Sequence, residues 1–323
     1  MITIVKNDFY RMLCRKTNMV VTIVLITGAI FAAIFISSRA ETLGSIALVA
    51  ADGEAAFSLP YLRVAVMDEA PPMSALISHK YDAVVTKTPS SYEITSIKDQ
   101  AFEASLMALL KDPAAYTPDH TEARGAGGTI LGFLTMFILL EGVVLMYMFA
   151  DDKEQKQIVR IAASPISFTG YLFGHMLFTF LTITFPVLAI LAAARYIFGA
   201  DIGFSLLQYA GLTALLGAFT TAFSLFLNSL VNKPDTANMI GSCIVTLTSI
   251  LAGSFYSFEK GNRTLELMIQ VLPQKAFLTL ADGLEQGAAL STLLPPLCYV
   301  GVLTLVLFGF AIAKTRRDYV RAH

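Results

Sequence analysis

The chain has 323 residues, of which 55% are apolar and 15% charged, with a net charge of −1 and a mean hydropathy of +0.66. Soluble domains average about 45–50% apolar and about 25% charged residues. The composition therefore excludes a disordered chain and a wholly soluble globule, and the balanced charge offers no basic face for nucleic acid. Cys14, Cys243 and Cys298 lie in or beside apolar runs without a CxxC or Cys/His cluster, which supports neither a disulfide framework nor a zinc site. Tryptophan is absent, so any interfacial aromatic belt must come from Tyr and Phe.

Residues 1–18 open with Ile2, Val5, Phe9, Met12 and Leu13 at helical spacing, and Lys6, Arg11, Arg15 and Lys16 take much of the remainder. That pattern predicts an amphipathic helix at a membrane interface, with cations among anionic headgroups. Met19–Ile36 is uncharged and longer than the ~7–15 residues of a signal-peptide core, so it reads as a retained span over 19–37. Residues 38–126 are a small α/β lobe. Leu62–Met67 and Ala83–Thr86 read as strands, Tyr92–Ile97 alternates, and Gln100–Leu110 has helical spacing. Gly125, Gly127 and Gly128 then mark entry into a second span, 127–150, which carries Glu141.

Further spans are expected at 169–194, with His175 near its start and Pro186 inside it, and at 203–227, where Gly211, Gly217, Thr220 and Thr221 favour close helix contact. The fifth and sixth are 236–256 and 296–313. Between them, 257–292 holds two apolar stretches too short to span, separated by Pro273. Segments 1–18, 151–168, 228–235 and 314–323 together carry twice as many cations as acids, whereas the alternate segments carry more acids than cations. The positive-inside rule then places both termini in the cytoplasm and the 38–126 lobe outside. The expected architecture is an all-α polytopic membrane protein with six transmembrane helices, N-in/C-in, an N-terminal interfacial helix and a small extracytoplasmic α/β lobe between spans 1 and 2.

Three familiar catalytic and nucleotide motifs are missing. There is no G-x-x-x-x-G-K-[ST], no H-E-x-x-H and no G-x-S-x-G, and the four histidines are scattered. Within the bilayer only Glu141 and His175 are ionisable, and each reads more simply as a packed polar group than as a gate, sensor or catalyst. Phe133, Phe137, Phe178, Phe180, Phe219, Phe223 and Phe226 either line an apolar route or face lipid.

The informative stretch is 151–168. A charged turn, Asp151-Asp152-Lys153-Glu154, leaves the second span, and an amphipathic helix follows with Ile158, Ile161 and Ala162 on one stripe. Ser164–Pro165 ends it, and Ser167 or Thr169 can cap the third span. This run resembles the coupling-helix signature of ABC-2 type permeases, the membrane subunits of type V ABC exporters, whose pattern is roughly E-R-E-x-G-T-L-E-R-L-L-A-S-P-[IV]-S. Asp152, Lys153 and Glu154 stand at its charged opening, Ile158, Arg160 and Ile161 at its Leu, Arg and Leu, and Ala163 to Ser167 at its ending. Lys156 replaces the Gly, Gln157 the Thr and Val159 the second Glu. A second likeness covers Leu251 to Glu259 followed by Leu267–Leu272 and Pro273, where the family has a small-residue helix end, an aromatic-acidic turn and a short helix closing in L-P.

The resemblance implies a permease without its own nucleotide site or cofactor, paired with a second permease as homo- or heterodimer in the cell membrane. A separate ATP-binding cassette subunit would hold ATP and Mg. Asp152, Lys153, Glu154, Ile158, Arg160, Ile161, Ser164 and Pro165 would couple to that subunit, and a hydrophobic or amphipathic cargo (drug, lipid or peptide) would leave the cell. Two other readings fit the residues: a non-transporting sensor or scaffold whose lobe binds a ligand, and an intramembrane enzyme using Glu141 and His175.

Overall fold

A computed structural model describes residues 2–14, 16–40, 44–49, 62–67, 71–77, 81–88, 91–96, 100–111, 124–162, 167–255 and 263–319. The chain divides into two units, Met1–Phe35 with Arg124–His323, and Ile36–Ala123. Helix α1 (Ile2–Cys14) is followed by α2 (Lys16–Ala40), whose side chains describe an apolar run Thr22–Ile36.

The second unit holds β1 (Gly44–Val49), β2 (Leu62–Met67), α3 (Met73–Ile77), β3 (Ala83–Thr88), β4 (Ser91–Ser96) and α4 (Gln100–Lys111). The strand order is β2-β1-β3-β4, with β1 parallel to both neighbours and β3 antiparallel to β4 from Ala83↔Ser96 to Thr88↔Ser91. Leu106, Leu109 and Leu110 of α4 cover one face on Ile46, Ala83 and Val85, while Leu76 of α3 packs on Ala47, Tyr81 and Val84 of the other. Asp82 accepts the Ser45 backbone N–H at 2.8 Å, tying the start of β1 to β3. The strands at 62 and 83 and the helix from 100 lie where periodicity placed them. Strand β1 was not foreseen, because a six-residue run buried on both faces has no alternation to read.

The chain returns through α5 (Ala126–Leu145), α6 (Tyr147–Glu154) and α7 (Gln157–Ala162) to α8 (Phe168–Tyr196) and α9 (Leu206–Leu230). Then come α10 (Pro234–Leu251), α11 (Arg263–Gln270), α12 (Pro273–Glu285) and α13 (Leu290–Tyr319). Start signals explain the boundaries. Ser167 accepts the Gly170 N–H at the head of α8, Ser205 and Gln208 form a capping box on α9, and Pro234 and Pro273 occupy first-turn positions that need no N–H partner. Hydroxyls inside the apolar helices bond back to the preceding turn, as Thr135 does to the Leu131 carbonyl at 2.6 Å.

Among the described residues four helices are long and apolar enough to cross a membrane: Ala126–Glu154, Phe168–Tyr196, Leu206–Leu230 and Leu290–Asp318. The other two expected spans are also helical. One is the shorter apolar run of α2, and the other is α10, whose buried positions Ala237, Gly241, Val245 and Ser249 form a narrow stripe. The Pro273 break separates α11 from α12, and the residues between α10 and α11 fall partly outside those described.

Small residues set the helix spacing. A Cβ on Gly132 would stand 2.2 Å from the Ser254 carbonyl oxygen, and one on Gly142 would stand 2.1 Å from the Thr220 methyl. Gly132→Ala must therefore push α5 away from the end of α10. The expected cost is about 1–3 kcal/mol, read as a lower thermal midpoint of the detergent-solubilised protein; an unchanged midpoint would contradict the contact. Gly217 meets Phe180 and Thr184 of α8, whereas Gly211 faces open space.

At the start of α5, Glu285 of α12 accepts the N–H groups of Gly127 and Gly128, both at 2.8 Å. A carboxylate there satisfies two orphan donors and complements the helix dipole. Arg124 donates to Asp282 at 3.1 Å and to the Gly253 carbonyl at 2.6 Å. Burial pushes the Asp282 carboxyl up, with Arg124 pulling against it. Gly203, at φ +75°, lets its loop lie against the backbone nitrogen of Gly127.

Candidate coupling site

Only Met146 separates α5 from α6, so the chain runs as one helical rod to Glu154. It stops at Gln155, and Lys156 takes φ +56°, a left-handed conformation rare for a residue with a Cβ. This is the position at which the pattern quoted above has glycine. Lys156→Gly is expected to stabilise the protein by about 0.5–1 kcal/mol, the left-handed penalty less the extra chain entropy of glycine. Thermal denaturation checks it, and a lower midpoint would rule out that turn.

The acids that leave α6 turn inward. Asp152 is buried. It accepts from Arg11 Nη1 of α1 at 2.9 Å and from the Tyr171 hydroxyl of α8 at 2.7 Å, and His175 Nε2 lies 3.6 Å away. His175 is itself buried, with Nδ1 2.6 Å from Asp8 Oδ2, and Asp8 has no solvent exposure at all. Arg11 stands 3.9 Å from both Asp8 and Asp151. One guanidinium and one imidazole thus hold carboxylates of α1 and α6 together against α8. The Tyr171 and His175 rings meet edge-on at 4.6 Å between centroids.

Lys153 closes the other side. Its Nζ donates to the carbonyls of Asn228, Ser229 and Val231 at 3.0, 3.1 and 2.9 Å. These are last-turn and terminal acceptors of α9, where a helix leaves carbonyls unpaired and favours a cation. The two charged residues of one turn therefore bind three other helices between them.

Helix α7 lies over this cluster. Ile158 is fully buried and Ile161 half-buried, among Phe149, Tyr171, Leu172, Leu225 and Ala311. Glu154 and Arg160 are exposed. Ser164 and Pro165 lie outside the described residues. Of the residues expected at the coupling surface, then, Glu154 and Arg160 face solvent, Ile158 and Ile161 anchor α7, and Asp152 and Lys153 tie the end of α6 to α1, α8 and α9.

Arg11, read from sequence as a headgroup cation, is engaged with this cluster instead. Asp8 and Tyr171 were not singled out. Asp8 carried a signal: with Val5 and Met12 it falls on the apolar stripe of α1, where an acid needs a partner. Nothing in the sequence marks Tyr171, or the α9 carbonyls that receive Lys153.

Glu141 is buried in α5 and accepts a hydrogen bond from Thr22 of α2. Glu141 and His175 thus have separate partners, and no pairing of the two supports acid–base chemistry. Among the described residues no group of His, Cys, Asp and Glu is arranged to hold a metal ion. The arrangement is suited to transmitting force: the end of α6 is fixed through charged side chains to an N-terminal helix and two long apolar ones, and the short helix that follows is packed on them through Ile158.

The family model described as "ABC-2 family transporter protein" matches residues 66–313, well over half of the chain. Comparison with curated proteins gives no match.

Proposed function

The chain belongs to the ABC-2 transporter family, and from that premise we propose that this membrane permease is the membrane-spanning subunit of an ATP-driven exporter. A separate ATP-binding cassette subunit docks on the cytoplasmic face and holds the ATP and Mg, and this chain contributes no nucleotide site. The observation that carries the reading is the α6–α7 turn, exposed at Glu154 of α6 and Arg160 of α7, with Asp152 and Lys153 of α6 bonded to α1, α8 and α9 and Ile158 of α7 buried. A push on α7 is received by α6, α8, α9 and α13 through Ile158, which packs among Phe149, Tyr171, Leu172, Leu225 and Ala311.

In the membrane, α2, the α5–α6 rod, α8, α9, α10 and α13 provide six spans, with both termini cytoplasmic and the 36–123 unit outside. Two permeases pair, as homo- or heterodimer, in the cell membrane. The helices offer apolar walls and few charges, which suits a drug, lipid or lipophilic peptide as cargo. The buried cluster of Asp8, Arg11, Asp152, Tyr171 and His175 fixes which faces of α1, α6 and α8 meet, a use of buried charge known to set register elsewhere.

The test is purification of the tagged chain in mild detergent with an assay for a stoichiometric ATPase. Recovery of a nucleotide-binding subunit supports the reading. Its absence from a folded preparation would leave the sensor or scaffold, with the 36–123 unit as ligand receptor.

A further inference from the structure

A groove of about 590 Å³ lies between α1, α2 and α8. Met12 and Phe178 form its floor, and both are buried. Phe9, Leu181 and Phe185 form its walls and are strongly exposed, at 51%, 47% and 75%. Thr22 also borders it, but its hydroxyl is turned onto Glu141. The wall on α8 runs from Phe178 to Pro186, which at the helical rise is about 12 Å, close to the ~15 Å of one leaflet of a ~30 Å hydrocarbon core.

One charge stands at this groove. Lys6 lines it, is exposed, and makes no ion pair among the described residues. Arg11, the other described cation of α1, is held by Asp8 and Asp152. An apolar slot nearly as long as a leaflet, with an exposed ammonium at it, is complementary to an acyl chain bearing an anionic headgroup.

We propose that the groove between α1, α2 and α8 is a site for one acyl chain of an anionic phospholipid, its headgroup phosphate paired with Lys6. This rests on the reading of α1 as a cytoplasmic interfacial helix of the permease. The bound lipid is a resident wedge beside α1, not the cargo, and it covers apolar surface that the chain itself leaves open.

The test uses the full chain in nanodiscs with trace phosphatidylglycerol or phosphatidylcholine carrying the same diazirine-labelled acyl chain, photolysed and mapped by peptide mass spectrometry. Phosphatidylglycerol is expected to label the Phe178–Pro186 region about fivefold more than phosphatidylcholine, the preference given by one surface cation. Lys6→Ala should erase the preference and leave the labelling by phosphatidylcholine unchanged. Leu181→Trp should suppress labelling by both lipids. Equal labelling of the unsubstituted protein by both lipids, or labelling unaffected by Leu181→Trp, overturns the site. Disulfide-linked permease dimers formed through Leu181→Cys would also overturn it, by making the groove a subunit interface. Loss of the co-purifying ATPase with the lipid pattern intact refutes the exporter reading alone; loss of the pattern with the ATPase retained refutes the lipid site alone.

Discussion

Arg160→Glu is expected to reduce recovery of the nucleotide-binding subunit with the permease by tenfold or more, while the permease keeps its thermal midpoint. The two halves of this expectation come from burial. Arg160 is exposed on α7, and an exposed substitution away from caps and cores usually changes stability by no more than about 0.5 kcal/mol. The helix beneath it is anchored by Ile158, which is fully buried, so charge reversal should not lift α7 from the spans. At a docking surface, by contrast, placing like charges together costs several kcal/mol, and about 1.4 kcal/mol is already a factor of ten. Pro165→Ala should leave assembly intact and uncouple ATP hydrolysis from transport, measured as ATPase activity against cargo flux in proteoliposomes. Undiminished recovery with Arg160→Glu and undiminished coupling with Pro165→Ala would together place the docking surface elsewhere.

Asp8→Ala should be the more damaging change to the fold. Asp8 has no solvent exposure, and its partner His175 is 2% exposed. Deleting one member of a buried pair strands the other, at a cost of about 3–5 kcal/mol. Arg11 is 27% exposed and can be hydrated in place, so the lower end is expected. Three kcal/mol corresponds to a fall of roughly 6–12 °C in thermal midpoint for a unit of this size. The loss should spread beyond α1, because His175 also stands near Asp152, which Tyr171 and Arg11 share. A double-mutant cycle between Asp8→Asn and Asp152→Asn should therefore show coupling through His175, of about 0.5–3 kcal/mol. Strict additivity would mean that the two carboxylates act separately. Recovery of the ATPase should fall in Asp8→Ala as well, but with the midpoint, whereas in Arg160→Glu it falls without it.

How much was legible depends on the kind of interaction. The long apolar runs at 127, 169, 203 and 296 needed only counting, since a bilayer imposes length and composition on each helix by itself. The amphipathic helix at the N-terminus, the break at Pro273 and the cap at Ser167 were equally local. Helix α7 stood out through its likeness to a family pattern, and the left-handed Lys156 falls on the one position where that pattern wants glycine.

The sequence by itself determined a chain of apolar helices with a small α/β insertion, a charged turn and short helix after the run that ends at 150, and no nucleotide motif, because each of these is written in consecutive residues. Tertiary structure alone decided which charges face the interior. Asp152 and Lys153 stand beside Glu154 in one run, yet the first meets Arg11 and Tyr171, the second caps α9, and only the third remains in solvent. That choice depends on which helices cross at the α6 turn, and residues more than 140 positions apart, such as Arg11 and Asp152, make it. A buried charge must find its partner in space, and no periodicity within a segment says where that partner will be.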